Sequence, residues 1–174
     1  MKRARAALVS LITFSCLFAE DEWIDDAGIR NQFLEQIVAL KESKQSSGLS
    51  AADLRSALRK EKRINLDLKT PEPHLTKLSI RELYEHGKRR TLVVGHIFLR
   101  ESSDEWRTNL AGGVVISENG VAVTNYHVLQ FEQAAIFAAM NHLGELFTIE
   151  EVLASSRHDD LAVGERSTFL EFSS

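Results

Sequence analysis

Leu-Ala-Gly-Gly-Val-Val-Ile-Ser-Glu-Asn-Gly-Val-Ala-Val-Thr-Asn-Tyr-His-Val-Leu-Gln, residues 110–130, is the stretch whose reading decides the fold. Two short β-type runs, Val114 to Ile116 and Val121 to Val123, flank Glu118-Asn119-Gly120. Asn-Gly supplies the positive φ that a tight turn needs, so the stretch reads as a hairpin. The second run ends at Thr124-Asn125-Tyr126-His127, which places an imidazole just past a strand, where loops carry chemistry. Taken alone, that ring reads either as a structural histidine at a strand end or as a catalytic one.

Working outward, His158-Asp159-Asp160-Leu161-Ala162-Val163 lies downstream, with Asp160 33 positions after His127. Together the two segments resemble the trypsin-like serine peptidases, most closely the bacterial periplasmic HtrA-type branch. There a Gly-rich strand, a hairpin and Val-Thr-Asn-x-His-Val present the catalytic histidine, and Asp-Leu-Ala-Val carries the aspartate. The resemblance implies catalytic roles for His127 and Asp160 and a polypeptide substrate. Asp159 is the rival for the aspartate position; Asp160 is preferred because it directly precedes Leu-Ala-Val. The resemblance covers roughly residues 80–163.

Between these landmarks, short apolar runs alternate with turn signals, as in an antiparallel barrel. The strands expected are Thr91–Leu99, Ala111–Ser117, Val121–Asn125, Ala135–Met140, Leu146–Ser155 and Leu161–Val163. A single helical turn is expected after His127, a turn at His142-Leu143-Gly144, and a surface loop over Glu101 to Arg107. The fold class is therefore mainly β with an N-terminal α-helical segment. The resemblance implies a single six-stranded antiparallel trypsin-like barrel, with the second barrel missing.

Upstream the pattern is helical. Trp23 to Lys44 carries Ile29, Phe33, Ile37 and Leu40 on one face, with Asp25 or Asp26 as cap. Ser50-Ala51-Ala52-Asp53 has capping-box form and opens a helix to about Arg63. Arg55, Arg59, Lys60, Lys62 and Arg63 make that helix basic; it reads as a solvated surface or as a docking face for anionic groups. Thr70-Pro71-Glu72-Pro73 holds both prolines of the chain and marks a linker. Ser79-Ile80-Arg81-Glu82 opens a short helix to about His86. The organisation expected is a signal peptide over 1–19, a helical region and linker over 20–75, and the barrel over 76–174.

The address follows from Lys2, Arg3 and Arg5 ahead of the apolar run Ala6 to Phe18, which is short for a membrane span. Cleavage after Ala19 would remove three cations, taking the net charge from −4 to −7. A secreted or periplasmic location is expected, with no membrane span after cleavage; lipid anchoring through Cys16 is a minor alternative. Cys16 is the only cysteine, so the mature chain would have no disulfide and no thiol nucleophile. Acidic net charge argues against nucleic acid as a partner. The six histidines, His74, His86, His96, His127, His142 and His158, show no metal-site spacing, so neither metal nor cofactor is expected. Trp23 and Trp106 read as packing residues.

The family's serine lies in a Gly-Asn-Ser-Gly-Gly segment, and this sequence has none. After Val163 the text turns abruptly to Gly164-Glu165-Arg166, which reads as the end of the sixth strand. The chain is therefore expected to be a truncated secreted or periplasmic serine endopeptidase that stops before its nucleophile, inactive alone and prone to self-association. The alternative is a non-catalytic binding or interaction module on a half peptidase scaffold, with the two N-terminal helices as a docking arm.

Overall fold

The computed structural model describes residues 25–43, 48–60 and 77–166. The signal peptide, Cys16, Trp23 and the proline linker lie outside them.

Six strands form one closed antiparallel barrel: β1 (Thr91–Leu99), β2 (Trp106–Val115), β3 (Val121–Thr124), β4 (Ile136–Met140), β5 (Leu146–Ser156) and β6 (Leu161–Arg166). Their order around the barrel is β1-β2-β3-β6-β5-β4. Four helices accompany them: α1 (Asp26–Ser43), α2 (Ala51–Arg59), α3 (Ile80–Arg90) and α4 (Tyr126–Leu129). The fold is mainly β, as the alternating pattern required. The hairpin forms where Asn-Gly placed it: Gly120 has φ 87°, and Ile116 N–H donates to the Val121 carbonyl at 2.8 Å.

Local chemistry starts α1, α2 and α3. Asp25 Oδ1 accepts the Gly28 N–H at 2.8 Å, and Ser50 Oγ accepts the Asp53 N–H at 3.1 Å. Ser79 and Glu82 close a reciprocal capping box on α3. Two helix ends differ from the sequence reading: α2 stops at Arg59 rather than Arg63, and α3 runs on to Arg90 instead of His86. Its last turn carries Lys88, Arg89 and Arg90, cations that suit the negative end of the helix dipole.

Three strands also exceed their expected lengths, β5 only by Ser156. β2 begins at Trp106 inside the predicted surface loop, because Trp106 pairs with Leu99 and Arg107 with Phe98. β6 continues through Gly164, Glu165 and Arg166, correcting the expectation that it ends at Val163. Cross-strand neighbours hold it: Gly164 pairs with Ala122 on one side and Val152 on the other. Pairing on both edges outweighs the weak strand preference of Gly and Glu.

β4 is buried along its whole length, and the period-2 alternation explains how. Phe137 and Ala139 join the barrel interior with Leu92, Val94, Leu129 and Val152. Ile136, Ala138 and Met140 point the other way, under Phe33, Ile37 and Leu40 of α1. α2 adds Leu54 and Leu58 to the interior core and packs against α4 and β5. Its last turn is pinned by Ser155 Oγ, which donates to the Leu58 carbonyl at 2.9 Å. Of the two N-terminal helices, α2 thus joins the interior core and α1 covers the outer wall of β4. Trp106 packs beside α1, with Lys41 Nζ 4.6 Å from its ring centre.

α3 is the exception. Ile80, Leu83 and Tyr84 share one helical face and are 88%, 55% and 61% exposed. That face borders a mostly apolar groove of about 560 Å³ lined by Tyr84, Ile29, Val93 and Met140. Apolar surface of this kind favours association. The expected result is a weight-average mass that rises with concentration in sedimentation equilibrium, and a double change Leu83→Glu, Tyr84→Glu that abolishes the rise. A concentration-independent monomer would contradict it.

Candidate active site

The site is built where β3 runs into α4 and where the β5–β6 turn returns beside it. Buried Tyr126, Val128 and Leu129 anchor α4 in the core, which leaves His127 on the outer face of the same short turn. Asp160 closes the β5–β6 turn with φ 51°, a left-handed backbone that aspartate tolerates better than most residues. In that conformation its carbonyl accepts the Tyr126 N–H at 3.1 Å, while its carboxylate reaches His127.

The two sequence-predicted residues meet. Asp160 Oδ2 lies 2.7 Å from His127 Nδ1, and Oδ1 accepts the His127 backbone N–H at 2.9 Å. One carboxylate therefore fixes both the ring and the backbone that carries it. Asn125 occupies the N-cap of α4 but makes no side-chain capping bond there. Its Nδ2 instead donates to Asp160 Oδ2 at 3.1 Å. The His127 backbone N–H, then the His127 ring and Asn125, hold the Asp160 carboxyl below the usual carboxylate range. The stability this gives is present above the ordinary aspartate value and is lost as pH falls through the depressed one. The side chains of His127 and Asp160 are 61% and 43% exposed, so solvent screens the pair and its contribution to stability is small.

Asp159, the rival, turns elsewhere: its Oδ2 accepts from Ser156 Oγ at 2.6 Å. His158, beside it, is exposed. Among the described residues no group of three or more His, Cys, Asp or Glu is placed to hold a metal ion. No helix among them is long and apolar enough to cross a membrane.

A third side chain escaped the sequence reading. His96 on β1 is buried beneath the α4 segment, stacked on Phe131 at 4.6 Å between ring centres and edge-on to Phe137 at 5.3 Å. Asn109 Nδ2 lies 3.4 Å from its Nε2, and Nδ1 has no hydrogen-bond partner among the described residues. The signal was present: Leu92, Val94 and His96 fall on alternate positions of one strand, and the first two are inward-facing types. Burial pushes the His96 pKa below the ordinary value, with the nearby Val128 carbonyl opposing weakly. The folded protein thus keeps the ring neutral where the unfolded chain protonates it, near pH 6.5. Stability is full above that pH and falls as pH drops toward the folded-state value, by at most about 1.4 kcal/mol per pH unit. Urea midpoints measured at several pH values should show this slope in the wild type and a shallower one in His96→Leu; equal slopes would refute it.

The dyad can orient an imidazole and accept a proton. No protein-family model matches this chain, and neither does any curated protein.

Proposed function

We propose that His127 and Asp160 are the general base and orienting carboxylate of a trypsin-like serine endopeptidase that works outside the cytoplasm, secreted or in the periplasm, on polypeptide substrates. The observation that supports this reading is the 2.7 Å contact from His127 Nδ1 to Asp160 Oδ2, doubled by the carboxylate's hold on the His127 backbone N–H. An imidazole held through Nδ1 keeps Nε2 free to take a proton from a hydroxyl, which is the base's task in acyl transfer. The reading also rests on the likeness of Val-Thr-Asn-Tyr-His-Val and Asp-Leu-Ala-Val to the peptidase motifs. The nucleophile is the part the sequence does not supply, since no serine in it stands in a Gly-x-Ser-Gly context. On this reading the 174 residues alone hold the base and lack its partner.

Two measurements test the reading. Proton NMR should show a downfield Nδ1 proton on His127 that vanishes in Asp160→Ala. Genomic DNA beyond codon 174, read in three frames, should encode Gly-Asn-Ser-Gly-Gly within about one domain length, of order 100 residues. A clean stop with no such segment, together with no downfield proton, would sink the peptidase reading in favour of a binding module.

A further inference from the structure

The turn that carries His127 rests on a buried imidazole. His96 is 3% exposed, and its ring stacks on Phe131, two residues past the end of α4. Phe98 also meets Phe131, with ring centres 5.1 Å apart, and the Val128 carbonyl is near the His96 ring. The ring thus supports the segment just after His127 at two points. None of the charged groups on the surrounding elements bonds it. β1 and β4 carry no other titratable side chain. From β2, Arg107 pairs with Glu105 at 2.7 Å, and Arg100, Glu101 and Asp104 stand exposed in the β1–β2 turn. From α2, Arg55 donates to the Phe131 carbonyl at 3.3 Å, and Arg59 lies 3.4 Å from Glu132 of the turn after α4. α4 itself adds Tyr126 and His127, the latter held by Asp160.

We propose that His96 is a pH-sensitive latch: with its ring neutral α4 lies closed on it, and protonation lifts the Val128–Phe131 segment and parts His127 from Asp160. A protonated imidazole donates from both nitrogens. Here Nδ1 has no hydrogen-bond partner among the described residues, and Nε2 faces the Asn109 amide nitrogen at 3.4 Å, itself a donor. The Val128 carbonyl is the one neighbour that favours the cation, and burial outweighs it. The face of Phe131 would attract a cation too, but less than the water it has lost. Relief comes from whichever side of the pocket yields first. β1 is paired along both edges, with β2 and with β4. α4 is a single turn of four residues without a side-chain capping bond, so it is the side that opens. The open form carries an ordinary imidazole and the closed form one that is harder to protonate. Opening therefore grows as pH falls below about 6.5, by at most about tenfold per unit, the limit for one proton. On the peptidase reading the latch holds the base in place near neutral pH and withdraws it in acid; the latch itself is a property of the fold and is measured without activity.

The test is amide hydrogen exchange on the 174-residue chain between about pH 8 and pH 5, with the intrinsic pH dependence of exchange divided out. Three amides report on the latch: Tyr126, which donates to the Asp160 carbonyl, Val128, which donates to the Asn125 carbonyl, and Ala134, which donates to the Phe131 carbonyl. Ile116, which donates to the Val121 carbonyl in the β2–β3 hairpin, reports on global opening. In the wild type, protection at the three latch amides should fall severalfold, up to about tenfold, per pH unit below about 6.5, while Ile116 holds. His96→Leu, which cannot take a proton, should keep their protection level with pH. His127 is unchanged in that variant, so its own titration is subtracted by the comparison. Should His96→Leu fail to fold, Asn109→Asp decides: position 109 is exposed, and a carboxylate beside Nε2 pairs the cation while the turn stays closed, which should also flatten the fall. Protection independent of pH in the wild type, an equal fall at Ile116, or a fall that persists in the folded variant would overturn the proposal.

Discussion

Incubation of the 174-residue chain with a fluorophosphonate probe should yield no covalent adduct, and no peptidase activity should be measurable. On the proposed reading His127, held by Asp160, is a base without a hydroxyl to deprotonate, and such a base forms no acyl-enzyme. The described serines with defined partners serve structure. Ser50 and Ser79 cap helices, Ser117 Oγ accepts the Val121 N–H, Ser155 bonds the Leu58 carbonyl and Ser156 bonds Asp159. Backbone donors for an oxyanion are worth a further factor of roughly 10²–10³ in rate, and on the proposed reading they would come with the missing serine. Joined to a second barrel that carries the serine, the chain should become active and label at that residue. His127→Ala or Asp160→Asn should then lower kcat/KM by about 10⁴ or more while the protein stays folded and monodisperse by size-exclusion. Asn125→Ala, which removes one donor from the carboxylate, should cost far less. Stoichiometric labelling of the 174-residue chain at one of its own serines would overturn this.

The largest effect on stability is expected from Phe33→Ala. Phe33 is wholly buried between α1 and the outer wall of the barrel, among Ile97, Ile136, Ala138 and Met140. Removing a buried phenylalanine ring costs about 3–5 kcal/mol, a large share of the 5–15 kcal/mol by which a domain is stable. A fall in Tm on the order of 10 °C follows. The seat of that ring also dictates a residue on β1. A Cβ on Gly95 would lie 2.5 Å from the Asn109 carbonyl oxygen and 3.2 Å from Phe33 Cζ, so the strand must be bare there for helix and sheet to approach. Differential scanning calorimetry checks the expectation; a Tm within a degree or two of wild type would show that α1 contributes little to the folded unit.

The sequence disclosed the barrel wherever strand-forming side chains and turn chemistry agreed. Thr91–Leu99 is a nearly unbroken β-type run and its bounds match β1. The dyad was legible for the same reason: two short motifs sit at the ends of clearly marked strands. What stayed hidden depends on neighbours rather than on local preference. Glu165 and Arg166 extend β6 because β3 and β5 flank it, and Trp106 opens β2 because Leu99 lies opposite. The α1 face at Phe33, Ile37 and Leu40 was visible as a stripe, but not the outer wall of β4 that receives it. The approach of the β5–β6 turn to α2 was beyond reach, since nothing in the sequence brings Arg157 to the cleft that Arg55 and Arg59 line.

The bond from Ser155 to the Leu58 carbonyl joins residues 97 positions apart. α2 therefore leaves the ribosome long before the strand that pins it exists. At about 5–20 residues per second, the apolar stripe of Leu54 and Leu58 waits about 5–20 s for its partners. α1 waits similarly, because Ile136 and Leu146 are made more than a hundred residues after Phe33. Through that interval the β1 residues Leu92, Val94 and Ile97 are the first barrel partners these two apolar faces meet, and the rest of their cover arrives only with β4 and β5.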